Sequence, residues 1–401
     1  MSSAGPVRSE RLAEEVTPIL TARTEGAPRV PGVVAGVTTD EETVFLGAAG
    51  VRALDDEQPM TVDSVFALFS ATKAVTATVA LQLVEDRALD LHAPARSYVP
   101  ALGELEVIEG FDDDGRPRLR PPASDVTTHQ LLTHTAGFGY DFFNENYRRL
   151  TADHGVPAVA TATRASLRTP LLFDPGTEWE YGSGVDWAGQ VIEAVTGRRL
   201  REVMAERVLD PLGMSDTGFA LSDDARRRRA VLHMRKRGEL VPNHRWEQPA
   251  DPEIDMGGQG LWSTVPDYLT FLRMWLREGR SDRGEQILHP DTVATALRNQ
   301  IGDLAVRRLP GVIPPLSHDV EFDPGTPKSW SYPFMVNDTD TPTGRKAGSQ
   351  SWAGLANLYY WIDPHTRIGG FWATQIFPFV DPASIDGYRD FEAATYRALA
   401  D

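Results

Sequence analysis

Ser70 and Lys73 stand three residues apart in the segment VFALFSATKAVTATVALQL, where almost every other side chain is apolar. A serine at the start of a helix and a lysine one turn later share a face. The unsatisfied amides of that first turn point towards any anionic oxygen forming near the serine. Burial disfavours the ammonium form, so a lysine held in such a segment moves towards neutrality and can take the serine's proton. Lysine is scarce in this chain: Lys73, Lys236, Lys328 and Lys346 stand against thirty-six arginines. An arginine cannot release its proton near neutral pH, so a lysine kept in an apolar run suits a proton-transfer role. The plainer alternative makes Ser70 a helix cap and Lys73 a side chain that reaches out to water.

The elements that must hold this pair follow from hydrophobic periodicity. Residues 9–24 predict an amphipathic helix with Leu12, Val16, Ile19 and Leu20 on one face. VPGVVAGV (30–37) and TVFLGAAG (43–50) predict a β-hairpin, and the stretch from Ser70 to Val84 a helix apolar nearly all round. Helices are expected over 184–196, 198–209, 264–279 and 386–400, and strands over 355–363 and 367–375. Residues 301–350 are proline-rich and show no periodicity. Strands near both ends with helices between predict an α/β (α+β) fold. An antiparallel sheet is built from both termini and flanked by helices, with a mainly helical insertion. Residues 1–84 and 251–401 form the sheet part and 85–250 the insertion, with the active site in the cleft between them.

The chain has 401 residues, no cysteine and a net charge of −17. Cysteine chemistry and disulfides are excluded, and the negative surface repels nucleic acid and anionic lipid. No apolar run reaches the length of a membrane span or a signal peptide, so a cytoplasmic protein is expected. No Gly-x-Ser-x-Gly pentapeptide marks a Ser-His-Asp hydrolase. His129 and His134 are five apart, wrong for one helix face, and lack a nearby carboxylate, so structural roles are expected and no metal site. The arginines at 226–229 and RKRG at 235–238 read as solvated turns. Tyr140, Trp179, Trp262 and Trp330 are candidates for a substrate pocket, although core packing is the commoner fate of a tryptophan.

FALFSATKAVTATVALQLVEDRALDLHAPARSYVP resembles the first motif of serine β-lactamase-like proteins and penicillin-binding proteins. It is most similar to the carboxylesterases related to class C β-lactamases, often called family VIII, and to related acyltransferases. TTHQLLTHTAGFGY (127–140), LLFDPGTEWEYGSGVDWAGQVIEAVTG (171–197) and PLGMSDTGF (211–219) continue the resemblance, which covers most of residues 30–375. It implies that Tyr181 is a catalytic tyrosine beside Ser70 and Lys73. A nearby ammonium would lower its pKa and let it exchange protons. By residues alone Tyr181 reads rather as a buried turn residue before a helix. Asp186 falls at the family's spacing, either as a helix N-terminal acid or as an active-site partner. For the third motif, Lys346-Ala347-Gly348 keeps a cation, whereas Trp352-Ala353-Gly354 resembles the esterases' version and is preferred, because a strand should run directly on from it. A tryptophan there suits uncharged acyl or alkoxy groups. The family pattern places the oxyanion between the amides of Ser70 and Leu355.

These implications add up to an enzyme without cofactor that cleaves a small-molecule ester through an acyl group on Ser70. Transfer of that acyl group to an alcohol or amine is the nearest alternative. A non-catalytic binder or sensor on the same fold is the alternative of another class.

Overall fold

The computed structural model describes residues 4–399. Its centre is an eight-stranded antiparallel sheet. The strands are β1 (Gly32–Thr39), β2 (Thr43–Ala53), β3 (Asp56–Pro59), β4 (Lys328–Trp330), β5 (Met335–Asn337), β6 (Gln350–Gly354), β7 (Leu358–Asp363) and β8 (Ile368–Ala373). They lie in the order β4-β5-β6-β7-β8-β1-β2-β3. The sheet is closed across the chain's two halves by β1 against β8, with Ala35 opposite Trp372. The expected construction from both termini is therefore observed.

The helices that matter for the site are α1 (Ala4–Glu25), α2 (Thr72–Glu85), α3 (Thr128–Thr133), α4 (Gly184–Thr196), α5 (Val265–Leu276) and α6 (Pro382–Leu399). α1 and α6 pack together on one face of the sheet, burying Leu12, Val16 and Leu20 as the periodicity predicts. α5 covers the other face against β1, β7 and β8, and Tyr268 meets Tyr360 and Phe371 there. α2 is buried over residues 72–83. A helix apolar on all sides has no solvent face to offer, and this one runs through the middle of the molecule.

Four expectations need correction. The proposed helix over 198–209 is broken: Leu200–Met204 is α-helical, Ala205–Leu209 widens to a π-turn, and Pro211 follows. The stretch 301–350 contains β4 and β5, too short for period-2 alternation to register. The strand expected over 355–363 begins only at Leu358. Residues 355–357 form a hairpin turn, with Asn357 at φ +63°, and the Trp-Ala-Gly motif ends the preceding strand β6 instead of leading into its own. The solvated turns hold only in part: Arg226, Arg227 and Arg237 are exposed, but Arg228 and Arg229 are 17% and 13% exposed and paired with Asp224 and Glu247, and Arg235 pairs with the buried Asp381.

Candidate active site

Ser70 lies in a short 3₁₀ turn, Phe69–Ala71, immediately before α2. Phe69 holds φ +47°, a region that costs a non-glycine residue about 1–3 kcal/mol and is kept only where surrounding contacts impose it. Those contacts are present. The Leu68 amide donates to the Leu261 carbonyl at 2.9 Å, and the Tyr268 hydroxyl donates to the Ala71 carbonyl at 2.9 Å. Thr72 Oγ1 accepts from the Leu261 amide at 3.1 Å. The turn is thus clamped between α5 and the 257–261 segment.

Lys73 is 2% exposed. Its Nζ lies 3.2 Å from Ser70 Oγ, 2.9 Å from Tyr140 Oη and 2.9 Å from the Gly258 carbonyl oxygen. Burial brings its pKa down to about 7, against the opposing pull of Asp186. A neutral amine has two N–H donors and one lone pair. The Gly258 carbonyl must be a recipient of one N–H. If Tyr140 takes the other, the lone pair is left for the Ser70 hydroxyl. Asp186, in the first turn of α4, accepts from the Gly258 amide at 2.7 Å and from Tyr140 Oη at 3.5 Å. Burial raises its pKa to about 6, an effect partly offset by Lys73. Asp186 is thus an acid in the first turn of a helix and also lies against the partners of Lys73.

Tyr181 is 3% exposed and its hydroxyl accepts from the indole N–H of Trp352 at 2.9 Å. It also lies within hydrogen-bond reach of Ser70, and Lys73 Nζ sits 4.7 Å from its ring centre. The expectation of a lowered phenol pKa fails. Burial is the dominant influence and raises it, as it does for Tyr140. Tyr181 is consequently a protonated donor at neutral pH.

Local sequence explains how Tyr181 reaches this place. Thr127 and Gln130 form a capping box at the start of α3, which ends at His134 in the left-handed conformation. The chain then turns back so that residues 138–140 run against 181–183. Gly182 is required there, since a Cβ would collide with the Phe138 backbone. His134 Nδ1 accepts from the Gly182 amide at 3.4 Å, and its ring lies 4.6 Å from that of Tyr181. Its expected structural role is thus exercised directly beneath a site residue.

β6 supplies the opposite wall. Gly354 touches the Leu68 carbonyl so closely that a Cβ could not be accommodated. This brings the next residue, Leu355, alongside the turn that carries Ser70. Trp352 faces Tyr181 with ring centres 4.7 Å apart. Lys346, the alternative third-motif residue, is in the loop before β6, half exposed and paired with Asp340 at 2.9 Å. All four pocket candidates lie deeper than expected, Tyr140 being 3% and Trp330 1% exposed. Trp179 is 1% exposed, packed on His134 and Trp330, while Trp262 is 2% exposed behind Trp246. Sequence reading missed Gly258 and Trp246, whose positions in loops gave no signal.

The chain can now be compared with known proteins. The family model described as Beta-lactamase matches residues 19–395. A lovastatin esterase from Penicillium rubens is 31% identical over 378 residues, covering 91% of this chain and 94% of the esterase. A monacolin J acid methylbutanoyltransferase from Aspergillus terreus is 32% identical over 367 residues, covering 88% and 87%. Among solved structures, a mutant of simvastatin synthase from Aspergillus terreus superposes with a TM-score of 0.80 at 29% identity, covering 99% of this chain and 96% of that one. The family model spans nearly the whole chain, and this chain belongs to the beta-lactamase family, with esterases and acyltransferases among its relatives.

Proposed function

We propose that the protein is a serine acyl hydrolase that cleaves an uncharged ester through an acyl group carried on Ser70. The observation that carries this reading is the buried Lys73 amine, brought near neutrality by burial, held by Gly258 and Tyr140 and 3.2 Å from Ser70 Oγ. Lys73 takes the hydroxyl proton as Ser70 attacks the ester carbonyl, and the amides of Ser70 and Leu355 receive the oxyanion. Tyr181, kept protonated by burial, donates to the departing alkoxide. Its phenolate recovers a proton from the Lys73 ammonium lying against its ring. Water then attacks the acyl-enzyme by the same route in reverse and releases the acid. The aromatic rings of Trp352, Trp330 and Tyr181 favour uncharged groups, and both cations of the third-motif region are occupied, Lys346 by Asp340 and Arg345 by Glu392.

Transfer of the acyl group to an alcohol is the second reading, supported by the methylbutanoyltransferase likeness. A branched acyl group of that kind, on a bulky alcohol, is the substrate class we favour for both.

The test is a short-chain nitrophenyl ester together with a fluorophosphonate probe. Ser70→Ala and Lys73→Ala should each lower kcat/KM by at least about 10³-fold, and Ser70→Ala should abolish the probe's adduct. Near-normal turnover by either variant overturns the proposal, and absence of any adduct on the unaltered chain favours a non-catalytic binder. Added alcohols that divert the acyl-enzyme from hydrolysis to ester formation separate transferase from esterase.

A further inference from the structure

The aromatic side chains around Ser70 fall into two groups. One contains Tyr181 and Tyr140 with Phe142, Phe143, Trp330 and Trp352. The other contains Phe69, which stacks on Trp246 at 5.2 Å and 24° and meets Phe377 at 5.6 Å. Among the described residues no ring of the second group stacks on a ring of the first. Ser70 is the junction, joined to Phe69 by the chain and to the Tyr181 side through Lys73.

The chemistry gives the two groups different work. The group that protonates the departing alcohol must touch its oxygen, so the alcohol lies on the Tyr181 side. The acyl chain, on the other substituent of the same carbonyl carbon, is directed away from it. We infer that Phe69 and Trp246 form the wall against which the acyl chain lies, and that Trp246 sets the size of chain accepted. This rests on the reading of Ser70 as the acylated nucleophile.

Trp246 is held as a fixed wall would need to be. It is half-buried, on the connection that follows the hairpin of His233–Lys236 and Glu239–Pro242. That hairpin is joined to Ile376–Phe377, so the loop and Phe377 share one support. The neighbouring Glu247 is gripped by Arg226 and, at 2.7 Å, by Arg229. Arg229 also donates to the carbonyls of His244 at 3.3 Å and Trp246 at 3.5 Å. His244 Nε2 meets Asp55 at 2.9 Å. The loop is thus tied at 244, 246 and 247, through two backbone carbonyls and the side chains of His244 and Glu247. Phe69, in turn, cannot retreat, because its backbone is clamped in the left-handed region.

The experiment compares the unaltered chain with Trp246→Ala and Trp246→Leu on nitrophenyl esters from acetate to octanoate, and on acetate esters of alcohols of increasing size. The expected result is a change of at least about tenfold in the octanoate-to-acetate ratio of kcat/KM, favouring the longer chain, with alcohol preference unchanged. Trp246→Leu keeps an apolar side chain should the alanine variant fold poorly, and should show the same shift in lesser degree. Parallel losses across the acyl series, or a change confined to the alcohol series, overturn the inference. Mass spectrometry of Ser70 after the fluorophosphonate probe distinguishes the two levels. No adduct on the unaltered chain removes the nucleophile reading itself, whereas an adduct with an unchanged acyl profile removes only the role of Trp246.

Discussion

Asp186→Asn tests the electrostatic heart of the site. The asparagine keeps the shape and can still accept from the Gly258 amide, but removes a buried negative charge. Asp186 reaches Lys73 through two short paths, one across Tyr140 (2.9 and 3.5 Å) and one across the Gly258 peptide (2.7 and 2.9 Å). These keep the charges within about 6 Å of each other, where an effective dielectric of about 20 gives about 3 kcal/mol, or about two pH units. The sign follows from the charges. Asp186 favours the ammonium form, so its loss lowers the Lys73 pKa further below about 7. Activity requires the amine, and the acid limb of kcat/KM, which in the unaltered enzyme should rise as pH passes through about 7, should move down by one to two units. The free enzyme's titration is read from kcat/KM against pH with a nitrophenyl ester, and independently from the pH dependence of fluorophosphonate labelling. An acid limb that stays in place, or moves upward, refutes the argument that Lys73 is the base and Asp186 its counter-charge.

Gly354→Ala should reduce kcat by at least about 10²-fold, since the new Cβ must push the end of β6 away from Leu68 and the Ser70 turn; preserved turnover would show that the oxyanion amides are not set by this contact. Arg345 and Glu392 are 3% and 1% exposed and paired at 2.9 Å, with Tyr388 and Thr343 also donating to Glu392. Arg345→Leu should cost about 3–5 kcal/mol by denaturant unfolding, because a carboxylate is left uncompensated, while Arg345→Leu with Glu392→Leu should recover most of it; equal instability of the single and double variants would disprove the cause.

The pair Ser70 and Lys73 was legible because its chemistry is encoded within one helical turn and because lysine is so rare in this chain. Strands β1, β2 and β8 were legible for a similar reason, as local patterns of apolar residues. What sequence could not reveal is assembled across long separations. Gly258 reaches Lys73 from 185 residues away with no local signal to announce it, and Tyr140, legible only as a pocket candidate, from 67. The turn at Asn357 hid the break between β6 and β7, since a positive φ there is borne by asparagine without a neighbouring glycine or proline. The phenol of Tyr181 was misjudged because proximity to lysine suggested an ammonium neighbour, whereas in a dry site burial dominates both groups.

The seam between β1 and β8 joins residues 32–39 to residues 368–373. During synthesis the first of these strands therefore waits, with one edge unmatched, until residues more than three hundred positions later have emerged. Its neighbour β2 can zip to one side at once, but the other side remains a template for any strand that arrives first. A chain interrupted before β8 would carry the whole Ser70 segment and still leave one edge of β1 unpaired, so the order of the strands delays completion of the sheet until its last members arrive.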